Sequence, residues 1–247
     1  MKKKIIFLVG PTAIGKSEAA VWLAKKLKAE IISCDSMQVY KGMDILTSQP
    51  AVLFRKKARH HLFRIISAVR EYDVARYRSA ALKKIKEIHK KGNVPLFVGG
   101  TGLYMTILVE GIFRSKAQNA TVRKDLYRQA QEKGSQYLYE RLKKIDPEAA
   151  VKIHPNDLRR LVRALEVYLV SGKPISSLQK ERRGLYSDYD VRIFCLDMQR
   201  DRLYGRIEKR IDKMFRQGLL KEAKRLLRLK LSKTASCAIG IKEIRGY

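Results

Sequence analysis

The chain has 247 residues, of which 54 are Lys or Arg and 24 are Asp or Glu, so its formal net charge is +30. Hydrophobic residues make up 45% of it, which is typical of a folded protein and excludes a disordered one. No apolar run approaches the roughly 20 residues that cross a bilayer, which excludes an integral membrane protein. The positive charge favours a polyanionic partner, and nucleic acid ranks ahead of an anionic membrane surface. The alternative explanation of the charge is a proteome that is generally rich in Lys and Arg.

Strand and helix patterns alternate over the first 113 residues, which predicts a parallel sheet with helices on both faces. Buried strands are predicted over Ile5–Val9, Glu30–Ser33 and Val94–Val98, and helices over Ser17–Lys28, over Tyr77–Lys90 and from about Leu103. The apolar stretch that follows the N-terminal lysines is shorter than a signal-peptide core. We therefore expect a cytoplasmic protein.

The pattern changes after Phe113. Amphipathic helices without a convincing strand fill Thr121–Leu178, and a strand pattern returns at Val191–Leu196. Two further helices, separated by Gly218, follow it. The sequence thus predicts an α/β core in residues 1–113 and 191–247, interrupted by an all-helical insertion at 114–190.

The strongest motif is G-x-x-x-x-G-K-[ST], which lies between the first strand and the first helix and is typical of a phosphate-binding loop. Its residues are Gly10, Pro11, Thr12, Ala13, Ile14, Gly15, Lys16 and Ser17. Backbone N–H groups and the helix N-terminus attract an anion, Lys16 adds a charge, and the Ser17 hydroxyl can join a Mg²⁺ shell. The motif predicts a P-loop-type α/β fold that binds a pyrophosphate or polyphosphate, without specifying ATP.

Two further segments follow predicted strands and should open onto the same crevice, because ligands bind at the carboxyl ends of parallel strands. Asp35 follows the second strand and could hold Mg²⁺ or accept a proton from a nucleophile. Gly99-Gly100-Thr101-Gly102 follows the third, where glycines permit the close approach of a substrate backbone.

Other polar groups give weaker indications. Arg202, Arg206 and Arg210 share a helical face, which is a solvated basic face unless that helix covers the sheet and lets an arginine reach the phosphate. Three distant cysteines indicate neither disulfides nor a zinc site. The adjacent histidines His60 and His61 would point apart, so we expect no metal there.

Taken together, these residues resemble the tRNA dimethylallyltransferase family. The matching strings are Gly10–Ser17, IISCDSMQVYKGMDI (31–45), VGGTGLY (98–104), IHPNDLRRLVRALEVY (153–168), RIEKRIDKM (206–214) and AIGIKEI (238–244). The resemblance implies transfer of a dimethylallyl group from dimethylallyl diphosphate to N6 of the adenosine beside the anticodon (position 37), in tRNAs that read codons beginning with U. It also implies that the phosphate-binding loop works without ATP.

The resemblance assigns roles to individual residues. Asp35 would accept the proton from N6, Lys16 and Arg210 would stabilise the departing diphosphate, Ser17 would hold Mg²⁺, and Thr101 would guide the adenosine. The helical insertion would grip the anticodon stem. The tRNA would meet Asp35, Ser36, Met37, Gln38, Thr101, Arg123, Arg159, Arg160, Leu161, Val162 and Arg163. We expect a monomer that binds tRNA and dimethylallyl diphosphate and does not associate with membranes.

The chain departs from the family pattern at 45–50, where the family usually has I-G-T-A-K-P and this chain has ILTSQP. The family also continues for tens of residues past position 247, so we expect a chain that is truncated or naturally short. Three other functions are compatible with parts of the sequence: a small-molecule kinase that uses ATP, a prenyltransferase that acts on free adenine nucleotides, and an inactive RNA-binding homologue.

Overall fold

The computed structural model describes residues 2–113 and 119–246, which belong to two compact units. The sheet unit comprises Met1–Val109 and Leu185–Tyr247, and the helical unit comprises Glu110–Gly184. The insertion was predicted to begin at 114, which lies outside the described residues, and to end at 190. In the structure it ends at Gly184, because the short helix that follows packs within the sheet unit.

The first part of the sheet unit carries the alternating elements that the sequence predicts. In chain order these are β1 (Lys3–Val9), α1 (Lys16–Lys26), β2 (Ala29–Ser33), β3 (Tyr40–Lys41), α2 (Val52–Lys57), β4 (His60–His61), β5 (Ile66–Ser67), α3 (Val74–Lys90), β6 (Val94–Val98) and α4 (Gly102–Val109).

The helical unit follows with α5 (Ala120–Lys133), α6 (Ser135–Ile145), α7 (Pro147–Lys152), α8 (Leu158–Ser171) and α9 (Ile175–Lys180). Its core is a cluster of buried aliphatic side chains that α5, α6 and α8 contribute, among them Leu126, Leu138, Leu142 and Leu165. The leucines recur at helical spacing, which places them on the faces that meet. Helix α8 ends at Gly172, whose φ of 70° lies in the left-handed region that glycine favours.

The chain returns to the sheet unit with α10 (Leu185–Asp188), β7 (Tyr189–Cys195), α11 (Arg200–Arg216), α12 (Leu219–Leu227), a 3₁₀ turn (Ala235–Cys237) and α13 (Ile241–Arg245). Gly218, with a φ of 96°, separates α11 from α12 as predicted. Within the described part of the chain we find no helix with the length and apolar character that crossing a bilayer requires.

Within the described residues, five strands form a parallel sheet in the order β4-β2-β6-β1-β7, and β3 pairs with β5 in a second, two-stranded sheet. Ile6 and Leu8 of β1 pack with α1 on one face. The alternate residue Phe7 points to the other face, where its ring stacks on Phe97 at 4.6 Å and where α3 lies against β2 and β6. This confirms the predicted parallel α/β sheet with helices on both faces and an all-helical insertion.

The sequence did not predict the elements between residues 40 and 67. Strands β3, β4 and β5 are two residues long, too short to show an alternating pattern. The two histidines form β4, the edge strand beside β2. His61 Nε2 lies 2.6 Å from Glu30 Oε2, so this histidine has a structural partner.

Glu30 is a buried carboxylate at the centre of this contact, with 3% of its surface exposed. Lys91 Nζ lies 3.2 Å and Asn93 Nδ2 2.9 Å from its Oε1. Burial alone would raise the pKa of Glu30, but hydrogen bonds from Asn93, His61 and Lys91 outweigh it and lower the pKa to about 2. The carboxylate therefore stabilises the folded state most when it is ionised.

We expect Glu30→Gln to lower the free energy of unfolding at pH 7 by roughly 1–3 kcal/mol, because it leaves buried partners incompletely paired. The deficit should be full above the unfolded-state pKa of about 4.3 and should decrease as the pH falls toward 2, where the wild-type carboxyl also becomes protonated. Urea denaturation between pH 3 and pH 7 measures this, with the exposed Glu140→Gln as control. A deficit that does not change with pH would contradict this role of the ionised carboxylate.

Candidate active site

The phosphate-binding loop connects β1 to α1, and two glycines make its path possible. Gly10 has a φ of 145° and Gly15 a φ of 103°, conformations that disfavour side chains. Lys16 Nζ donates hydrogen bonds to the carbonyls of Gly10 (2.8 Å) and Pro11 (2.6 Å), so the ammonium lies over the loop. Burial lowers the pKa of Lys16, Asp35 opposes this and Arg210 adds to it. The loop therefore presents a charged group and a helix N-terminus to the same space.

Asp35 lies in a tight turn directly after β2. Its Oδ1 accepts hydrogen bonds from the backbone amides of Met37 (2.8 Å) and Gln38 (3.3 Å). Among the described residues, no hydrogen bond reaches Oδ2. One carboxylate oxygen thus fixes the side chain and the other remains free to accept a proton.

Thr101 holds this turn from the neighbouring strand end. Its Oγ1 accepts from the Ser36 amide at 3.0 Å, and its own amide donates to the Cys34 carbonyl at 3.2 Å. A side chain at Gly99 would clash with the backbone oxygen of Cys34. The prediction that these glycines admit a substrate backbone is thus corrected for Gly99, which admits the protein's own backbone.

Helix α11 supplies the opposite wall. Arg210 Nε donates to Ser48 Oγ at 2.9 Å. Burial lowers the pKa of this guanidinium, and Asp35 opposes the shift. Helix α11 thus covers the end of the sheet. This position allows an arginine of the helix to reach a phosphate bound at the loop. Arg206 lines the same space and Arg202 does not.

These segments line one cavity of about 830 Å³. Its lining includes the predicted catalytic residues Asp35, Lys16, Thr101 and Arg210, together with the whole phosphate-binding loop and Ser36, Met37 and Gln38. Sequence reasoning missed Lys209, Lys213 and Ser48, which also line it. The spacing 206, 209, 210, 213 lies on one helical face, so a strict helical reading of α11 could have found the lysines.

A smaller cavity of about 330 Å³ adjoins the phosphate-binding loop. Gly10, Cys34, Thr101 and Met105 are among its lining residues. Burial raises the pKa of the Cys34 thiol to about 12, so this cysteine is an inert neutral group here. The wall of this smaller cavity is therefore suited to an apolar ligand.

The helical unit separates the predicted tRNA contacts into two kinds. Arg159 and Arg160 are exposed on α8. Arg123 and Arg163 instead lie 2.9 and 2.8 Å from Glu166, a carboxylate whose side chain is fully buried. Arg123 thereby links α5 to α8, whereas Arg163 pairs with Glu166 within α8.

The structure corrects the prediction for Leu161 and Val162. Both side chains are buried in the core of the helical unit, with exposures of 0% and 2%. They face inward because α8 is amphipathic, and they fix the helix that presents its neighbouring arginines.

Comparison with known proteins identifies the family of this chain. The model of the IPP transferase family matches residues 38–247, and that of the isopentenyl transferase family matches residues 3–63. A tRNA dimethylallyltransferase from Carboxydothermus hydrogenoformans is 46% identical over 249 residues, covering 100% of this chain and 80% of the relative. The Thermotoga maritima tRNA dimethylallyltransferase is 43% identical, covering 99% and 79%.

Solved structures give the same result. A full-length tRNA isopentenylpyrophosphate transferase from Bacillus halodurans superimposes with a TM-score of 0.70 at 39% identity, covering 100% of this chain and 77% of the other. A eukaryotic dimethylallyltransferase acting on tRNA gives a TM-score of 0.78 at 33% identity, covering 92% and 56%. These matches confirm the resemblance drawn from the motifs: the chain belongs to the tRNA dimethylallyltransferase family.

Proposed function

We propose that this protein transfers a dimethylallyl group from dimethylallyl diphosphate to N6 of the adenosine at position 37 of tRNAs that read codons beginning with U, and releases diphosphate. The observation that carries the proposal is that the phosphate-binding loop, Asp35, Thr101 and Arg210 line one cavity. The named relatives support it, since they are tRNA dimethylallyltransferases.

The reaction requires a carboxylate between its two substrates, the adenosine and dimethylallyl diphosphate. A bond forms between N6 and C1 of the dimethylallyl group while the bond from C1 to the diphosphate oxygen breaks, and the electron pair leaves with the diphosphate. The exocyclic amine of adenine is a weak nucleophile, so its proton must be removed as the bond forms. Asp35 Oδ2 would accept it, and Thr101 would guide the base beside that turn. The adenine must leave its stack to reach the cavity.

Cations in the cavity would stabilise the negative charge that develops on the leaving group. Lys16 and Arg210 would contact the diphosphate, and the backbone amides of the phosphate-binding loop would bind its oxygens. The adjoining apolar cavity has a size and lining that suit the five-carbon group. Electrostatic stabilisation is effective here because the site is partly shielded from water.

The donor set also suits a magnesium ion. Among residues 2–113 and 119–246, no group of three or more His, Cys, Asp and Glu side chains could hold a metal by themselves. Mg²⁺ is commonly held by one or two protein ligands together with substrate phosphates and water. Ser17 would supply such a ligand from the loop, and the bound ion would neutralise charge on the diphosphate.

The proposal is tested by mass spectrometry of an anticodon stem-loop incubated with the protein, dimethylallyl diphosphate and Mg²⁺. We expect one prenyl group on the stem-loop, none on a variant with guanosine in place of the target adenosine, and none on AMP. Phosphate transfer from ATP without prenylation would favour the small-molecule kinase. Binding of RNA without any turnover would favour the inactive homologue.

We expect Asp35→Asn to lower the single-turnover rate of prenyl transfer by about 10²–10⁴-fold while leaving affinity for the stem-loop intact. The amide oxygen keeps an acceptor for the Met37 and Gln38 amides, so the turn is preserved and only the basicity is lost. Asp35→Ala should lose transfer and also retain RNA affinity. Gel-shift titrations report the affinity, and unchanged turnover in either variant would remove Asp35 from this role.

The two kinds of arginine in the helical unit should behave differently. Arg159→Gln and Arg160→Gln should each weaken stem-loop binding and reduce its salt dependence by about one unit of log–log slope if one phosphate contact is lost, with little change in melting temperature. Arg123→Gln should lower the melting temperature because it removes a partner from buried Glu166. Equal melting temperatures for Arg123→Gln and Arg159→Gln would contradict this division.

A further inference from the structure

Residues 42–50 form a segment that connects two walls of the larger cavity, and we call it the bridging segment. The buried carboxylate of Glu222 on α12 accepts hydrogen bonds from the amides of Asp44 (3.0 Å), Ile45 (3.0 Å) and Leu46 (2.9 Å). Three consecutive amides on one carboxylate form a strong, charge-assisted anchor. The start of the bridging segment is therefore fixed to α12.

The other end of the bridging segment is fixed to the Asp35 turn. Gln38 Nε2 donates to the carbonyls of Thr47 and Ser48, each at 3.3 Å. Gln49 Nε2 donates to the Tyr40 carbonyl at 3.0 Å. The backbone of Ser48 is thus held by contacts to the Asp35 turn on one side and, through the anchored amides, to α12 on the other.

Ser48 adopts a backbone conformation that a serine rarely occupies. Its φ is +47°, in the left-handed region. Such a conformation persists when the surrounding contacts determine it. Both hydrogen-bonding functions of its hydroxyl are directed at α11, since Oγ accepts from Arg210 Nε at 2.9 Å and donates to Met214 Sδ at 3.6 Å.

The hydrogen bond to Ser48 uses only one nitrogen of the Arg210 guanidinium, Nε. Within the described part of the chain, the two terminal nitrogens of Arg210 have no hydrogen-bond partner, and the side chain lines the cavity with Lys16. A guanidinium fixed through Nε keeps its two amino groups available for two phosphate oxygens. Fixing it beforehand also avoids part of the conformational entropy that a mobile arginine would lose on binding.

We propose that Ser48 is a positioning residue that orients Arg210 toward the departing diphosphate and links its position to that of the Asp35 turn. This inference rests on the proposed function, in which Arg210 stabilises the leaving group. Ser48 need not touch either substrate to do this. Its effect is transmitted by one hydrogen bond, and it should therefore disappear when Arg210 is absent.

The test is a double-mutant cycle with Ser48→Ala, Arg210→Ala and the double variant. Calorimetry measures the affinity for inorganic diphosphate with Mg²⁺, and single-turnover assays measure prenyl transfer to the stem-loop. We expect Ser48→Ala to weaken diphosphate binding and slow transfer by about tenfold, the order expected for a hydrogen bond to a charged group. In the Arg210→Ala background, Ser48→Ala should cause no further loss.

Two control variants separate loss of the hydroxyl from a change in backbone strain. Ser48→Gly removes the same hydroxyl but suits a positive φ, so it should reproduce the loss seen with Ser48→Ala. Ser67→Ala, at an exposed serine on β5 outside the cavity lining, should match the wild type. Wild-type behaviour of Ser48→Gly would show that backbone strain, and not the hydroxyl, causes the effect, and would overturn the inference.

The remaining outcomes separate this inference from the proposed function. If Ser48→Ala binds diphosphate and transfers the prenyl group as the wild type does, or if its loss persists in the Arg210→Ala background, the inference fails while the proposed function stands. If the wild type binds diphosphate but never prenylates the stem-loop, the proposed function fails. The diphosphate affinities of the four proteins in the cycle then still decide whether Ser48 acts through Arg210.

Discussion

The close approach of two strand ends determines where the chemistry takes place. The backbone of Gly99, at the end of β6, lies so near the Cys34 carbonyl that even a methyl group would not fit. This contact lets the Thr101 amide reach the same carbonyl, and it lets the Thr101 hydroxyl accept from Ser36. The turn that carries Asp35 is consequently held beside the phosphate-binding loop, since β6 lies between β2 and β1 in the sheet. Loosening this one contact would separate the base from the anion site.

Positive charge predominates in the lining of the larger cavity. The space that Asp35 and Glu18 line is also lined by five cationic side chains, those of Lys16, Arg206, Lys209, Arg210 and Lys213. Keeping cations charged in a partly buried site is costly in the absence of an anion, and burial accordingly lowers the pKa values of Lys16 and Arg210, while Asp35 opposes both shifts. A bound diphosphate offsets this cost, and it binds to cations that are already in place. The Ser48 hydroxyl is a neutral partner for Arg210, so it fixes the direction of the guanidinium without cancelling its charge.

Sequence reasoning found what short-range patterns encode. The phosphate-binding loop, the three main strands, the helical insertion and Gly218 all leave local signals of composition or periodicity. It missed the contacts that depend on distant segments. Nothing near Glu222 indicates that its carboxylate receives three amides from residues 44–46, and nothing near Ser48 indicates an arginine. The interpretation of the loop glycines failed at Gly99 because a sequence does not reveal whether close approach serves a ligand or the protein's own backbone. Leu161 and Val162 were grouped with their basic neighbours because the motif was carried over as a block, although helical periodicity turns them inward.

The anchor at Glu222 also has a consequence for synthesis of the chain. Its bond to the Leu46 amide joins residues that are 176 positions apart. At translation rates of about 5–20 residues per second, roughly 10–35 s separate the appearance of the two partners. During that interval the nascent polypeptide already contains its anion-binding loop and the Asp35 turn, while the wall formed by α11 and α12 has yet to be made. A growing chain on the ribosome therefore contains the anion-binding loop well before α11 and α12 add the wall that carries Arg210.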